Sequence, residues 1–232
     1  MTSPSTSDRD GLKRAAAARA VTEVEDGMVI GLGSGSTASF AIAAVAERVA
    51  AGLRVVAVAA SEQSATLARR LRVPLTSFAQ HRRIDLTIDG ADQVERGTLN
   101  LIKGGGGALL REKIVACASA RMIVVVDEAK LVDRLGGSTK LPVEIVTFGW
   151  QTVLDRLAAL GCAPSLRLAG RRPFATDGGN YIADCALAEI TDPAGWEARL
   201  SSVVGVVETG LFIGMASKVV VGRPSGVEVI ER

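Results

Sequence analysis

The chain of 232 residues reads as an α/β protein: a doubly wound, mostly parallel sheet flanked by helices, with a smaller α+β unit inserted late in the sequence. Three observations predict this. Short apolar runs ending in glycine alternate with helical stretches over the first 140 residues, the pattern of βαβ units. Hydrophobic residues make up 48% of the chain but aromatic residues only 3%, so the core is built from Ala, Val, Leu and Ile, which suits parallel strands buried on both faces. After Leu141-Pro142 the spacing of the segments changes. The α/β domain is therefore placed at 1–141 and 213–232, and the inserted unit at 142–212.

The start, MTSPSTSDRDG, is polar and reads as a frayed terminus, and Ala-rich residues 10–25 read as a helix. MVIGL (28–32) is a short buried strand, and residues 36–52 form a helix stopped by glycine. A strand over 53–60 and a helix over 61–71 repeat the unit. IDLTIDG (84–90) is a third strand, ALLREKIVACASA (108–120) a helix and RMIVVVDE (121–128) a fourth strand. In the insertion, strands are expected at 143–148, 164–168, 180–186 and 203–209, with helices near 149–160 and 192–202. KVVVG (218–222) and VEVIE (227–231) read as strands that return to the first sheet.

The net charge of +2, with acids and bases interspersed, lacks the clustered basic residues of a nucleic-acid footprint. No apolar run approaches the ~18 residues needed to span a bilayer. The three cysteines form no CxxC pair and no even disulfide framework, which fits a reduced, cytoplasmic setting. The single histidine, His81, sits in the polar stretch QHRR and reads as a loop residue. A general base is then expected to be a carboxylate.

Four segments carry chemistry. GLGSGSTA (31–38) follows a strand and opens a helix, so Ser34, Gly35, Ser36 and Thr37 offer hydroxyls and amides at a helix N-terminus, a setting for phosphate. It fits neither a dinucleotide fingerprint, since Ser36 takes the place of the last glycine, nor a Walker loop, which needs a lysine. A tight βα turn with a hydroxyl cap is the plain structural alternative. DGAD (Asp89, Gly90, Ala91, Asp92) places two carboxylates at a strand's carboxyl end, the ligand face of such sheets. Asp-Gly alone also makes a turn. KGGGGALLREK (103–113) combines Lys103, the glycines 104–107 and Glu112, which is expected about one and a half turns into a helix at ~1.5 Å rise per residue. Together these supply a cation, N–H donors and a base, the equipment for abstracting a proton next to a carbonyl and holding an enediolate. Lys130, in DEAKLVDRLG (127–136), lies just past a strand end, where it can reach an anionic ligand or stand as a solvated lysine.

Taken together, GLGSGSTA, IDGAD, KGGGGALLREKI and DEAKLV, followed by LPVEI, TDGGNYIAD, GVVETGLF and KVVVG, resemble ribose-5-phosphate isomerase of the A type over nearly the whole chain. The resemblance implies a Rossmann-like domain with an inserted ferredoxin-like α+β domain. It also implies interconversion of D-ribose 5-phosphate and D-ribulose 5-phosphate in the pentose phosphate pathway without metal or cofactor, and a homodimer or homotetramer. It makes Glu112 the base that moves a proton between C1 and C2, and gives Asp89 ring opening and hydroxyl proton transfer. Lys103 and the amides of Gly104, Gly105 and Gly106 face the enediolate oxygens. Ser34 to Thr37 and Lys130 bind the substrate mainly around its phosphate, and Lys13 adds a phosphate contact. Three positions depart from the family pattern: Ser34 stands for a common Thr, Gln93 for the Glu after DGAD, and Leu110 for a Thr ahead of REK.

Two other functions compete with this reading. A non-catalytic sugar-phosphate sensor would need the Ser34–Thr37 loop but not Glu112, Asp89 and Lys103 together. It would also be joined to a DNA-binding segment, for which residues 1–27 are short. A nicotinamide-dependent dehydrogenase is disfavoured by Ser36.

Overall fold

The structure is a computed structural model that describes residues 6–232. Of the polar start, residues 1–5 lie outside the described residues. From Thr6 the chain is helical rather than frayed, in a helix Thr6–Val21. The expected helix over 10–25 thus begins and ends earlier. Ala16, Ala17 and Ala20 are fully buried, and the small side chains let the helix lie directly on the sheet. Gly222 permits the same approach from below, because a Cβ there would sit 2.3 Å from the Leu12 carbonyl oxygen.

The chain divides into two compact units. The first comprises Met1–Ala91, Arg111–Leu131 and Met215–Arg232; the second comprises Asp92–Leu110 and Val132–Gly214. The inserted unit is therefore larger than the expected 142–212. It also takes in the segments around strands Gln93–Glu95 and Leu101–Ile102, which pair with each other and with Leu211–Phe212.

The first unit is built on a six-stranded sheet in the order Gly226–Glu231, Lys218–Arg223, Ser119–Asp127, Ile84–Asp89, Val29–Leu32, Val56–Ala59. All neighbours are parallel except the C-terminal hairpin, so the return of residues 218–222 and 227–231 to this sheet is as expected. Leu32 lies beside Ile88, and Asp89 beside Val124, so the carboxyl ends gather at one edge.

One boundary moves. The helix expected over 108–120 spans Leu109–Cys117, and the next strand begins at Ser119. Pairing with the sheet overrides the Ala-rich run: the Ile84 amide donates to Ala118 O at 2.9 Å, and the Thr87 and Ser119 hydroxyls share a hydrogen bond at 2.5 Å.

The second unit contains an antiparallel sheet in the order Ala163–Leu166, Tyr181–Ala186, Leu141–Ile145, Val206–Thr209. Helix Trp150–Ala159 joins the first pair of strands in sequence, and helix Pro193–Ser201 the last pair. This is the split βαβ arrangement of a ferredoxin-like unit. Its core gathers Leu141, Val143, Ile145, Leu157, Ala183 and Leu200. TDGGNYIAD is held by Glu144, whose Oε1 accepts from Thr176 Oγ1 and Asn180 Nδ2, each at 2.9 Å.

Candidate active site

In the first unit the first glycine loop and the DGAD turn lie at the carboxyl edge of the sheet. Strand Val29–Leu32 ends into the first glycine loop, and helix Gly35–Ala50 starts there. The glycines of this loop serve different ends. A Cβ at Gly31 would meet Thr87 Oγ1 at 2.0 Å and Val115 Cγ1 at 2.6 Å, and one at Gly33 would meet Asp89 Oδ1 at 2.0 Å. Gly31 and Gly33 therefore admit their neighbours, whereas Gly35 has a φ of +88° in open space and is there for its conformation.

Asp89 ends its strand and is 1% exposed. Its Oδ1 accepts from the Ser34 amide at 3.1 Å and the Gly90 amide at 2.7 Å. A buried carboxylate is tolerated when it is hydrogen-bonded, and here the bonds also lock the first glycine loop to the DGAD turn. Gly90 packs beside Thr37, with an added Cβ 3.5 Å from Thr37 Cβ. Ser34, the N-cap, does not cap with its side chain; its hydroxyl donates to Ser61 Oγ at 2.9 Å. Ser61 Oγ bonds Ser64 Oγ at 2.9 Å, and Ser64 Oγ donates to Gly33 O at 2.6 Å. Sequence reasoning missed Ser61 and Ser64. The available signal was the S-x-x-S start of the following helix, which reads only as a cap. Lys13 Nζ reaches Ser36 Oγ at 3.5 Å, so the first helix does bring this cation to the loop. Lys130 closes a 3₁₀ turn, Glu128–Lys130, directly after strand Ser119–Asp127 and is partly buried.

Glu112 lies in the first turn of helix Leu109–Cys117, not one and a half turns in, because the glycine run turns on itself before the helix starts. The Gly107 amide closes that turn on Gly104 O at 3.0 Å. A carboxylate in the first turn is favoured by the helix dipole. Glu112 is 5% exposed. Val115, one turn on and on the same face, packs at Gly31, so the Glu112 face is turned to the sheet. Arg111 pairs with Glu62 at 2.8 Å. His81 sits in a turn with its Nδ1 at 2.8 Å from Thr76 Oγ1, as a structural loop residue.

In the second unit, Lys103 is 3% exposed and lies 5.5 Å from the centroid of the Phe212 ring. Asp92 Oδ2 accepts from the Gly105 amide at 2.7 Å. Gly105 is thus already a donor to protein, which removes one of the three amides expected at the enediolate. Gln93 is a structural residue: its Nε2 donates to Gly136 O at 2.9 Å and its Oε1 accepts from the Gly136 amide at 2.8 Å. An ionised glutamate could accept there but not donate. Leu110 is partly buried in the first helical turn. Among the described residues, no three His, Cys, Asp or Glu side chains gather as a metal site, and no helix is long and apolar enough to cross a membrane.

The model of a protein family described as ribose 5-phosphate isomerase A (phosphoriboisomerase A) matches residues 56–226. The chain belongs to this family. It is 54% identical over 223 residues to ribose-5-phosphate isomerase A of Gloeobacter violaceus, covering 96% of this chain and 97% of that protein. It is 50% identical over 219 residues to the Gluconobacter oxydans protein of the same name, covering 93% and 94%. Among solved structures, a D-ribose-5-phosphate isomerase in complex with phospho-erythronic acid superposes with a TM-score of 0.93 at 38% identity, covering 97% of this chain and 99% of that one. The ribose 5-phosphate isomerase A of Methanocaldococcus jannaschii gives 0.92 at 38% identity, covering 96% and 99%.

Proposed function

We propose that the chain interconverts D-ribose 5-phosphate and D-ribulose 5-phosphate through an enediolate. The carrying observation is the burial of two carboxylates, Asp89 and Glu112, in the first unit of a chain that belongs to this isomerase family. Glu112 takes the C2 proton of the open-chain aldose and returns it to C1. Asp89 assists ring opening and moves the hydroxyl proton between O1 and O2, so the net change is a shift of hydrogen with no redox partner. Lys103 and amides of the glycine run stabilise the charge that develops on the oxygen. Ser34, Gly35, Ser36 and Thr37 hold the phosphate, with Lys13 and Lys130 as cations. Gly90, Ala91 and Asp92 complete the substrate contacts.

A positioned base supplies about 10²–10⁴-fold and an aimed oxyanion donor about 10²–10³-fold. Both are needed, because a proton next to a sugar carbonyl is a weak acid. That a relative is described in complex with phospho-erythronic acid supports the reading. A phosphorylated sugar acid carries its negative charge near where an enediolate would. The reaction belongs to the non-oxidative pentose phosphate pathway, and we propose a cytoplasmic homodimer, with a homotetramer as the larger form. The test is to mix the protein with ribose 5-phosphate and EDTA, without cofactor, and to follow ketose formation. Ketose is the expected product. Its absence would refute the reading, and turnover that appears only with NAD(P) would replace it by a dehydrogenase.

A further inference from the structure

We propose that Arg167 is a positioning residue that sets the peptide planes of the glycine run and so aims the Gly106 amide at the enediolate oxygen; this rests on the isomerase reading above. A run of glycines has no side chains to fix its peptides, and its backbone freedom is the largest of any residue. Here the orientation is imposed from outside. Arg167 Nη1 donates to Gly104 O at 2.8 Å and to Gly105 O at 3.1 Å. The guanidinium is itself held: Nε donates to Asp184 Oδ2 at 2.9 Å, and Nη2 to Asp184 Oδ1. Such a two-pronged pair fixes geometry as well as charge. The Phe174 ring centroid lies 5.9 Å from the guanidinium carbon, and the ring edge is 2.5 Å from where a Cβ on Gly107 would stand. At the other end, Leu109 and Pro142 come within 2.7 and 3.1 Å of a Cβ built on Gly104.

The consequence follows from peptide geometry. In a planar trans peptide the N–H points opposite to the C=O. With the Gly104 and Gly105 carbonyls turned to Arg167, the Gly105 and Gly106 amides face away from it. The Gly105 amide goes to Asp92 at 2.7 Å. The Gly106 amide is turned out by the same clamp, and no atom lies within 4 Å of a Cβ built on Gly106, so there is room beside it for a ligand. The guanidinium holds two carbonyls and grips the carboxylate with two parallel donors at once; a lysine ammonium lacks that planar fork.

The experiment compares the unsubstituted full-length chain with Arg167→Met and Arg167→Lys. The clamp acts on a donor used in the transition state, so kcat should fall about 10–10²-fold in Arg167→Met with KM changed less than about threefold. Affinity for phospho-erythronic acid should fall in parallel, while affinity for inorganic phosphate stays. Added guanidinium at millimolar concentration should restore part of the activity of Arg167→Ala but none of Glu112→Gln. A folded Arg167→Met with kcat within about twofold of the unsubstituted chain, even with a lowered Tm, would overturn the assignment. If Arg167→Met does not fold, Arg167→Lys decides by the same split. An unsubstituted chain inactive on ribose 5-phosphate would instead overturn the isomerase reading and this assignment with it.

Discussion

In the first unit the candidate carboxylate Asp89 is fixed by the strand that carries it, whereas in the second the candidate amide donors of the glycine run are fixed by side chains from other segments. Asp89 closes its own strand; the adjoining Gly90 amide binds it locally, and the Ser34 amide binds it across the parallel register. The glycine run of the second unit has no such register, and its peptides are oriented by Asp92 and Arg167. The difference teaches that buried carboxylates can be made rigid by the sheet, but amide donors need a second layer of side chains to aim them.

Glu112→Gln should break the first half most severely, lowering kcat by about 10²–10⁴-fold while circular dichroism and Tm stay near those of the unsubstituted chain. Near-normal turnover would remove Glu112 as the base. Lys103→Met should cost about 10²–10³-fold in kcat, read by the same ketose assay. A loss of kcat with unchanged KM in a variant would show that its group acts in the transition state.

Glycine substitutions sharpen the contrast. Gly33→Ala must displace Asp89, since the new Cβ would overlap its carboxylate at 2.0 Å, and should destabilise by about 1–3 kcal/mol in urea unfolding. Gly106→Ala meets nothing within 4 Å and should change stability by less than about 0.5 kcal/mol. If the two cost the same, the crowding at Asp89 is not what fixes the first loop.

Ser61→Ala removes the partner of Ser34 and the cap of the helix Glu62–Arg70. We expect about 1 kcal/mol lower stability and a KM for the sugar phosphate raised several-fold, with kcat little changed. A fall in kcat alone would show that the loop does more than bind.

The smallest effect is expected at the opposite edge of the first sheet. Burial alone would raise the Glu23 carboxyl, but the hydrogen bond from Lys218 and the charges of Lys218, Arg121 and Arg19 outweigh it and hold it below its ordinary value of 4.5. A carboxyl lowered by folding contributes stability in full above its unfolded value, and that contribution is lost as pH falls through the folded value. Glu23→Gln should therefore lower Tm at pH 7, and the gap should close as pH drops below about 4.5, with activity per folded molecule unchanged. A gap that persisted in acid would show the loss to be one of packing.

Much of this was legible in the chain itself. Alternating apolar runs and glycine stops placed the parallel sheet, because strand and helix periods are local properties of sequence. Gly-rich turns at strand ends placed Ser34 to Thr37 and Asp89 at the carboxyl edge of the parallel sheet, because the carboxyl ends of parallel strands face one way. The purpose of individual residues was less legible. Gly33 looked like part of a phosphate loop but makes room for Asp89. Gln93 stood out only as a departure from the family's Glu, but it pairs with the backbone of Gly136.

The sequence alone thus determined the fold class and the kinds of group available for catalysis, since composition, periodicity and turn chemistry act between near neighbours. Only the tertiary structure decided which distant residues hold particular groups: Ser61 behind Ser34, Arg121 and Lys218 around the structural Glu23, and Arg167 on Gly104. These partners are 27, 98, 195 and 63 residues apart in the chain. No local pattern connects residues so distant, because their contact exists only after the strands between them have paired.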